Sequence, residues 1–267
     1  MTDYFNQIHN GAPINDVEII DIHAHLGPNG IMHIPRNSAE DMIKTMDACG
    51  IDKVVVSAHV GIDADIVLGN DMVFEAIAKF PGRIFGACMV NGHYPELSGD
   101  ELTRCFDEGQ NFKIIKIHPF STSCRLDDKR MKPILQFADE RKLAVLVHTW
   151  LDGDAYGSLE IFGNVAREYS EIKWIMGHSG GPFGSYHAAE MAKDIKNVFL
   201  DLTISMGPAR QVEYFVSEVG ADRVLFGTDN PFLDPRPQIG RVGLAEISDE
   251  AKQKIFGANA RRLVQFD

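Results

Sequence analysis

Residues 19–26 read IIDIHAHL, an apolar run that ends in two histidines, His23 and His25, spaced two apart. In an extended strand that spacing puts both imidazoles on one face, where they can hold one ion in common. Further apolar runs end the same way: VVVSAH at His59, IIKIHPF at His118, VLVHTW at His148, WIMGHSGG at His178 and VLFGTDNP at Asp229. Parallel strands closed into a barrel bring their ends to one mouth, where such side chains can share a metal. A single H-x-H reads equally well as two packed or solvated histidines. The recurrence of His148, His178 and Asp229 at separate strand ends tips the pattern toward a metal site.

Working outward, runs rich in Val, Ile and Leu fall near 17–25, 53–59, 83–90, 112–119, 143–149, 172–178, 198–204 and 223–229. Most are continuous rather than alternating, as strands covered by helices should be. Segments of helical character separate them, with Ser38 and Asp41 as a start signal, Gly50 as a stop, and Ser248 opening the last helix. Repeated strand–helix units of about 30 residues predict the α/β class: a (β/α)8 TIM barrel, one domain over residues 1–267. An open doubly wound sheet also alternates strands with helices, but no G-x-G-x-x-G follows the first strand, and an open sheet does not gather eight strand ends around a point. The inserts GPNGIMHIPRN, at 27–37, and Trp150 to Gly157 are expected to overhang the mouth.

Formal charge is −12 over 267 residues, so the concentration of Lys and Arg that a nucleic-acid surface requires is missing, and a small-molecule partner is expected. No stretch is apolar enough to span a bilayer, and the N-terminus has neither the basic start nor the apolar core of a secretory signal. A cytoplasmic protein is expected. The four cysteines are scattered without a C-x-x-C pair and read as reduced thiols. Homo-oligomerisation is left open.

Taken in order, DIHAHLGP, IKIHPF, LVHTW, MGHSGG, FGTDNPF and the terminal IFGANARRLV resemble the amidohydrolase superfamily, especially its amidohydrolase-related branch of lactonases, decarboxylases and hydratases. The resemblance spans nearly the whole chain. It implies a metal-dependent barrel with His23, His25, His148 and Asp229 as ligands of the principal ion, and His178 as a further ligand position or an acid–base group. Imidazole and carboxylate suit zinc, which is the expected ion, and by ligand type manganese or iron as well. Metal-bound water would be the nucleophile, with Asp229 and His178 as the catalytic residues that manage protons. Asp229 also reads as a turn residue in G-T-D-N-P, and His178 as rim packing.

Lys116 and His118 share the spacing of two. In two-metal members of the superfamily a lysine of the fourth strand is carboxylated to bridge the ions, so a second ion is conceivable; the mononuclear reading is preferred, with Lys116 and His118 as substrate contacts. Arg125 and Trp150, in mouth loops with His33, Arg36 and Tyr156, are candidates for anchoring an acid and covering a ring. His59 reads as packing at least as readily as a site residue. Gly180 and Gly181 would let their loop pass close to the site, and Asp201, Thr203 and Ser205 form a polar stripe suited to interior hydrogen bonding.

The function expected first is hydrolysis of a lactone, amide or ester by metal-activated water. Non-oxidative decarboxylation of a small aromatic or unsaturated acid is the alternative at the same site. A barrel that has lost catalysis and only binds is a third reading, disfavoured by the intact ligand set.

Overall fold

The structure is a computed structural model and describes residues 3–108, 111–150, 153–204 and 207–266. Its strands are β1 (Ile20–Leu26), β2 (Lys53–Ala58), β3 (Ile84–Met89), β4 (Phe112–Ile117), β5 (Ala144–His148), β6 (Lys173–Gly177), β7 (Val198–Asp201) and β8 (Val224–Leu225). All neighbouring pairs are parallel and the strand order follows the chain. The two ends of the sheet also meet. Ile22 N donates to Phe226 O at 3.0 Å, Asp229 N to His23 O at 2.8 Å, and His25 N to Asn230 O at 2.8 Å. The result is the expected (β/α)8 barrel.

Strand parity explains how an apolar sequence builds a polar mouth. Outward residues such as Val54, Val56, Ile115, Ile117, Val145 and Val147 pack in the layer under the helices. Inward residues Val55, Phe85, Ile114, Leu146, Ile175 and Leu225 fill the lower barrel. Two residues further on, the same inward faces carry Lys116 after Ile114, His148 after Leu146, and Gly227 then Asp229 after Leu225. β1 needs an extra device, because Ile20 and Ile22 belong to the interior cluster whereas Ala24 and Leu26 pack outward. A register shift between Asp21 and Ala24 supplies it, and such bulges re-aim the side chains that follow. His23 and His25 thereby turn inward.

Local signals hold where they were expected. Ser38 Oγ accepts from Asp41 N at 3.1 Å, Gly50 ends that helix at φ 74°, and Ser248 Oγ accepts from Ala251 N at 3.2 Å. Three strands stop two or more residues before their apolar runs end. β7 ends at Asp201 because its own carboxylate takes Thr203 N at 3.0 Å, and β8 ends at Leu225 because Asp21 Oδ1 takes Thr228 N at 3.1 Å. β4 ends at Ile117, since Pro119 cannot donate and starts a short helix, Pro119–Thr122, capped by His118. Helices at Tyr4–His9 and Pro235–Gly243 were not anticipated. Ser205 lies outside the described residues. All four cysteines are buried free thiols, and among the described residues no helix is long and apolar enough to cross a membrane.

The lower end of the barrel is stoppered by the chain's last helix, Asn259–Val264, and the residues after it. Leu263 and Phe266 join the interior cluster, and the Phe266 ring meets Phe85 edge-on with centroids 4.8 Å apart. Because this contact is remote from the mouth, Phe266→Ala should cost about 3–5 kcal/mol of stability and leave metal content unchanged. Denaturant unfolding with parallel metal analysis checks this; an unaltered midpoint would show that the stopper contributes nothing.

Candidate active site

The site grows from one buried carboxylate. Asp201, at the end of β7, accepts from the His23 ring through Oδ2, Nδ1 to Oδ2 being 2.7 Å, and from His178 N at 3.1 Å. Its other oxygen accepts from Thr203 N and Oγ1, at 3.0 and 2.8 Å. A side chain on Gly227 would collide with Asp201 and Thr203, so only glycine admits this group. With its Nδ1 proton committed to Asp201, His23 turns the Nε2 lone pair toward Asp229, 3.7 Å away. Nε2 faces the Lys116 ammonium at 2.7 Å. His178 is pinned alike, Nδ1 donating to Thr203 O at 3.0 Å.

Asp229 completes the centre, its Oδ1 lying 3.0 Å from His25 Nε2 and 3.7 Å from His23 Nε2. His25 Nδ1 is held by Ser57 Oγ at 3.1 Å. Asp229 and His178 both adopt left-handed backbone, at φ 65° and 63°. Such conformations are rare outside glycine and concentrate at functional sites, where the surroundings hold them. Here the holding contacts are Asp229 N to His23 O and His178 N to Asp201. Asp21 secures the same seam, accepting from His23 N at 3.1 Å, from Thr228 N and from the Thr228 hydroxyl.

Burial dominates the electrostatics. It holds the His23 and His148 imidazoles well below the usual histidine value, helped by Lys116 beside His23 and His118 beside His148, and it brings His25 down to about 4. Burial also brings Lys116 down to about 8 and pushes the Asp21 carboxyl up to about 8. At Asp229 burial pushes upward, but the hydrogen bond with His25 and the electrostatic influence of the surrounding imidazoles outweigh it and hold this carboxyl well below its ordinary range. The centre therefore offers neutral imidazoles and an ionised carboxylate, the forms that ligate metals.

Donor atoms of His23, His178 and Asp229 lie within 4.8 Å of one another, and His25 adjoins through Asp229. Two imidazoles locked by their far nitrogens, beside an ionised carboxylate, fit a divalent cation. His148 stands next to this group, its ring 4.6 Å from that of His178, and His118 stacks on His148 at 3.8 Å. Trp150 meets His178 edge-on at 5.1 Å. Above them opens a cavity of about 480 Å³, whose lining includes His25, His118, His148, Trp150, His178 and Asp229. Lys116 is fully buried beside His23 and is not among the lining residues. Its influence on a bound molecule is through charge.

Arg125 is the candidate that the structure does not bring in. Its guanidinium is half-exposed and paired with Asp127 at 2.8 Å, and it lines a separate surface depression. His33, Arg36 and Tyr156 do not line the cavity, whereas His59 does, stacked on His25 at 4.7 Å. Gly181 has φ 68°, and a side chain there would strike the Trp150 carbonyl, so the glycine loop does pass close to the site. Also in the lining, though not named from the sequence, are Asn29, Met32, Asp154 and Phe232 in loops and Asp63 and Phe120 in short helices at strand ends. The sequence reading passed over Asp21, for which D-I-H-A-H was a signal, since Asp21 precedes His23 by the strand repeat.

A family model described as Amidohydrolase matches residues 20–266. The chain belongs to the amidohydrolase family. It is 24% identical over 281 residues to a gamma-resorcylate decarboxylase of Polaromonas sp. (strain JS666), covering 85% of this chain and 84% of that protein. Its fold is similar to a solved 5-carboxyvanillate decarboxylase from Sphingomonas paucimobilis, at TM-score 0.77 and 16% identity, covering 94% of this chain and 100% of the other. A dihydroxybenzoic acid decarboxylase from Polaromonas sp. JS666, solved with bound manganese and the inhibitor 2-nitroresorcinol, gives TM-score 0.74 at 18% identity, covering 92% and 96%. These findings correct the expected hydrolysis of a lactone, amide or ester, because the relatives named are decarboxylases. An amidohydrolase-family enzyme stands; its metal is not established as zinc.

The pinning of His23 and His178 makes Asp201 testable. In Asp201→Asn, either orientation of the amide points an N–H at a buried N–H donor, so the cradle loosens without a change of volume. Divalent-metal affinity should fall about 10–100-fold, read by equilibrium dialysis, while circular dichroism stays native. Unchanged affinity would remove Asp201 from the support of the site.

Proposed function

We propose that this protein is a divalent-metal-dependent carboxy-lyase that releases CO₂ from a small aromatic or unsaturated acid. The observation that carries the reading is the pairing of an apolar-walled cavity of about 480 Å³ with a cluster of neutral imidazoles and one ionised carboxylate at its base. The names of the relatives support it, since they decarboxylate dihydroxybenzoate and carboxyvanillate rings. Small ligand sites commonly enclose 300–1,000 Å³, so the space suits a substituted ring.

His23, His25, His148 and Asp229 would hold a single ion; His178, whose donor also lies with those of His23 and Asp229, would then stand beside the ion with Nε2 unbound, and manganese, bound in a structural neighbour, is the ion to try beside zinc. Once bound, the ion supplies positive charge that orients the substrate carboxylate and withdraws electrons from the ring. The chain's own groups do the remainder. Trp150 walls the cavity beside His178, and apolar loop residues exclude water from the ring. Lys116, buried beside His23, would add positive charge near the end where the carboxylate would sit. As the C–C bond to the carboxylate breaks and CO₂ leaves, the ring carbon takes a proton. His178, with Nδ1 committed to Thr203 O, has Nε2 available to carry that proton, and Asp229 lines the same cavity.

Metal-loaded protein should release CO₂ from 2,6-dihydroxybenzoate or a related ring acid. His178→Ala should lower kcat by about 10²–10⁴-fold, the range of general acid–base contributions. CO₂ capture coupled to chromatography of the ring product is the measurement. Turnover of lactones without CO₂ release from any acid would sink the proposal.

A further inference from the structure

The charge inventory of the cavity narrows the substrate class. Among the described residues that line it, the charged groups other than imidazoles are Asp63, Asp154 and Asp229, with no lysine or arginine. Asp229 belongs to the base. Asp63 ends the short helix His59–Asp63, and its Oδ2 accepts from Gly30 N at 3.1 Å, in the insert that follows β1. Asp154 lies in the insert that follows β5, and its Oδ1 accepts from Tyr156 N at 2.9 Å. Neither is paired with a lysine or arginine among the described residues, and each keeps acceptor capacity toward the mouth. The nearby Arg125 reaches Ala155 O at 3.2 Å, but its Nε and Nη2 both bind Asp127, each at 2.8 Å.

Positive charge is confined to one end. Its source is the Lys116 ammonium, 2.7 Å from His23 Nε2, while the imidazoles of His23, His178 and His25 around Asp229 at the base are neutral. Between base and mouth the walls are apolar, formed by Met32, Ile62, Trp150 and Phe232. A ring acid bound with its reacting carboxylate at the base turns its far edge toward Asp63 and Asp154. A hydroxyl or amine there can donate to a carboxylate, whereas a second carboxylate meets like charge with no cation to neutralise it. The chain's formal charge of −12 adds to the repulsion of a dianion.

We propose that Asp63 and Asp154 make this a site for ring acids with a single carboxylate and neutral hydrogen-bond donors, and that they reject rings bearing a second carboxylate. The inference rests on the carboxy-lyase reading for the orientation of the substrate. It is tested by binding, which does not depend on turnover. Isothermal titration of the manganese-loaded protein compares 3-hydroxybenzoate with 5-hydroxyisophthalate, which differ only by the second carboxylate. The monoacid should bind tighter by on the order of tenfold. In Asp63→Asn, Asp154→Asn and the double variant the gap should shrink stepwise, with circular dichroism confirming native structure. Equal or tighter binding of the diacid by the unsubstituted protein, or a gap that survives in the double variant, overturns the proposal. If the gap behaves as expected but no ring acid releases CO₂, selection by the two aspartates stands and the carboxy-lyase reading falls.

Discussion

The seam between the first and last strands is the constraint on which the rest depends. A barrel can close only if its edge strands find partners, and here a carboxylate takes over part of the ladder. Asp21 accepts from Thr228 N, the Thr228 hydroxyl and His23 N, while His23 O receives Asp229 N. The hydrogen bonds that close the cylinder are thus the ones that aim His23, His25 and Asp229. Burying a carboxyl there is unfavourable unless it is hydrogen-bonded, and the three donors around Asp21 offset that cost. Stability and chemistry share the same atoms at this point.

Asp201 plays the corresponding part at the end of β7, the strand beside that seam. It joins β1 to the turn after β6 by binding the His23 ring and the His178 backbone with one oxygen. Both aspartates are buried, and burial pushes each carboxyl above its ordinary value. They differ in this from Asp229, whose surrounding histidines keep it ionised. Three acids within one barrel therefore divide into two that brace the frame and one exposed to the cavity. The division follows from what each carboxylate touches.

Much of this was legible in the sequence because period and position carry physical meaning. Apolar runs ending in His or Asp located the strands, and parity along them placed Lys116, His148 and Asp229 on inward faces. The bulge in β1 was not legible, since nothing in IIDIHAHL marks where the register slips, yet the result preserved the common face of His23 and His25. The ends of β7 and β8 were overestimated because hydrophobicity cannot show that a side-chain carboxylate will capture a ladder N–H. Arg125 was chosen for its charge and its loop, but a neighbouring Asp127 satisfies it at the surface. Asp63 and Asp154 were not named: the insert that carries Asp154 was expected over the mouth, but a single side chain there acquires a direction only when the strands are in place, and Asp63 ends a short helix that the apolar pattern did not mark. Chemistry was the hardest to read, as one ligand set serves hydrolysis and decarboxylation alike.

The Asp21–Thr228 contact spans 207 positions along the chain. Long-range closure of this kind is slow, since most of the polypeptide must be ordered before the contact rewards it. During synthesis the imidazoles of the early strands emerge well ahead of Asp229, so a nascent or truncated chain carries part of a chelating set without its acid. The carboxylate thus joins the imidazoles of β1, β5 and β6 only once the eighth strand is in place, and the cluster is incomplete until then.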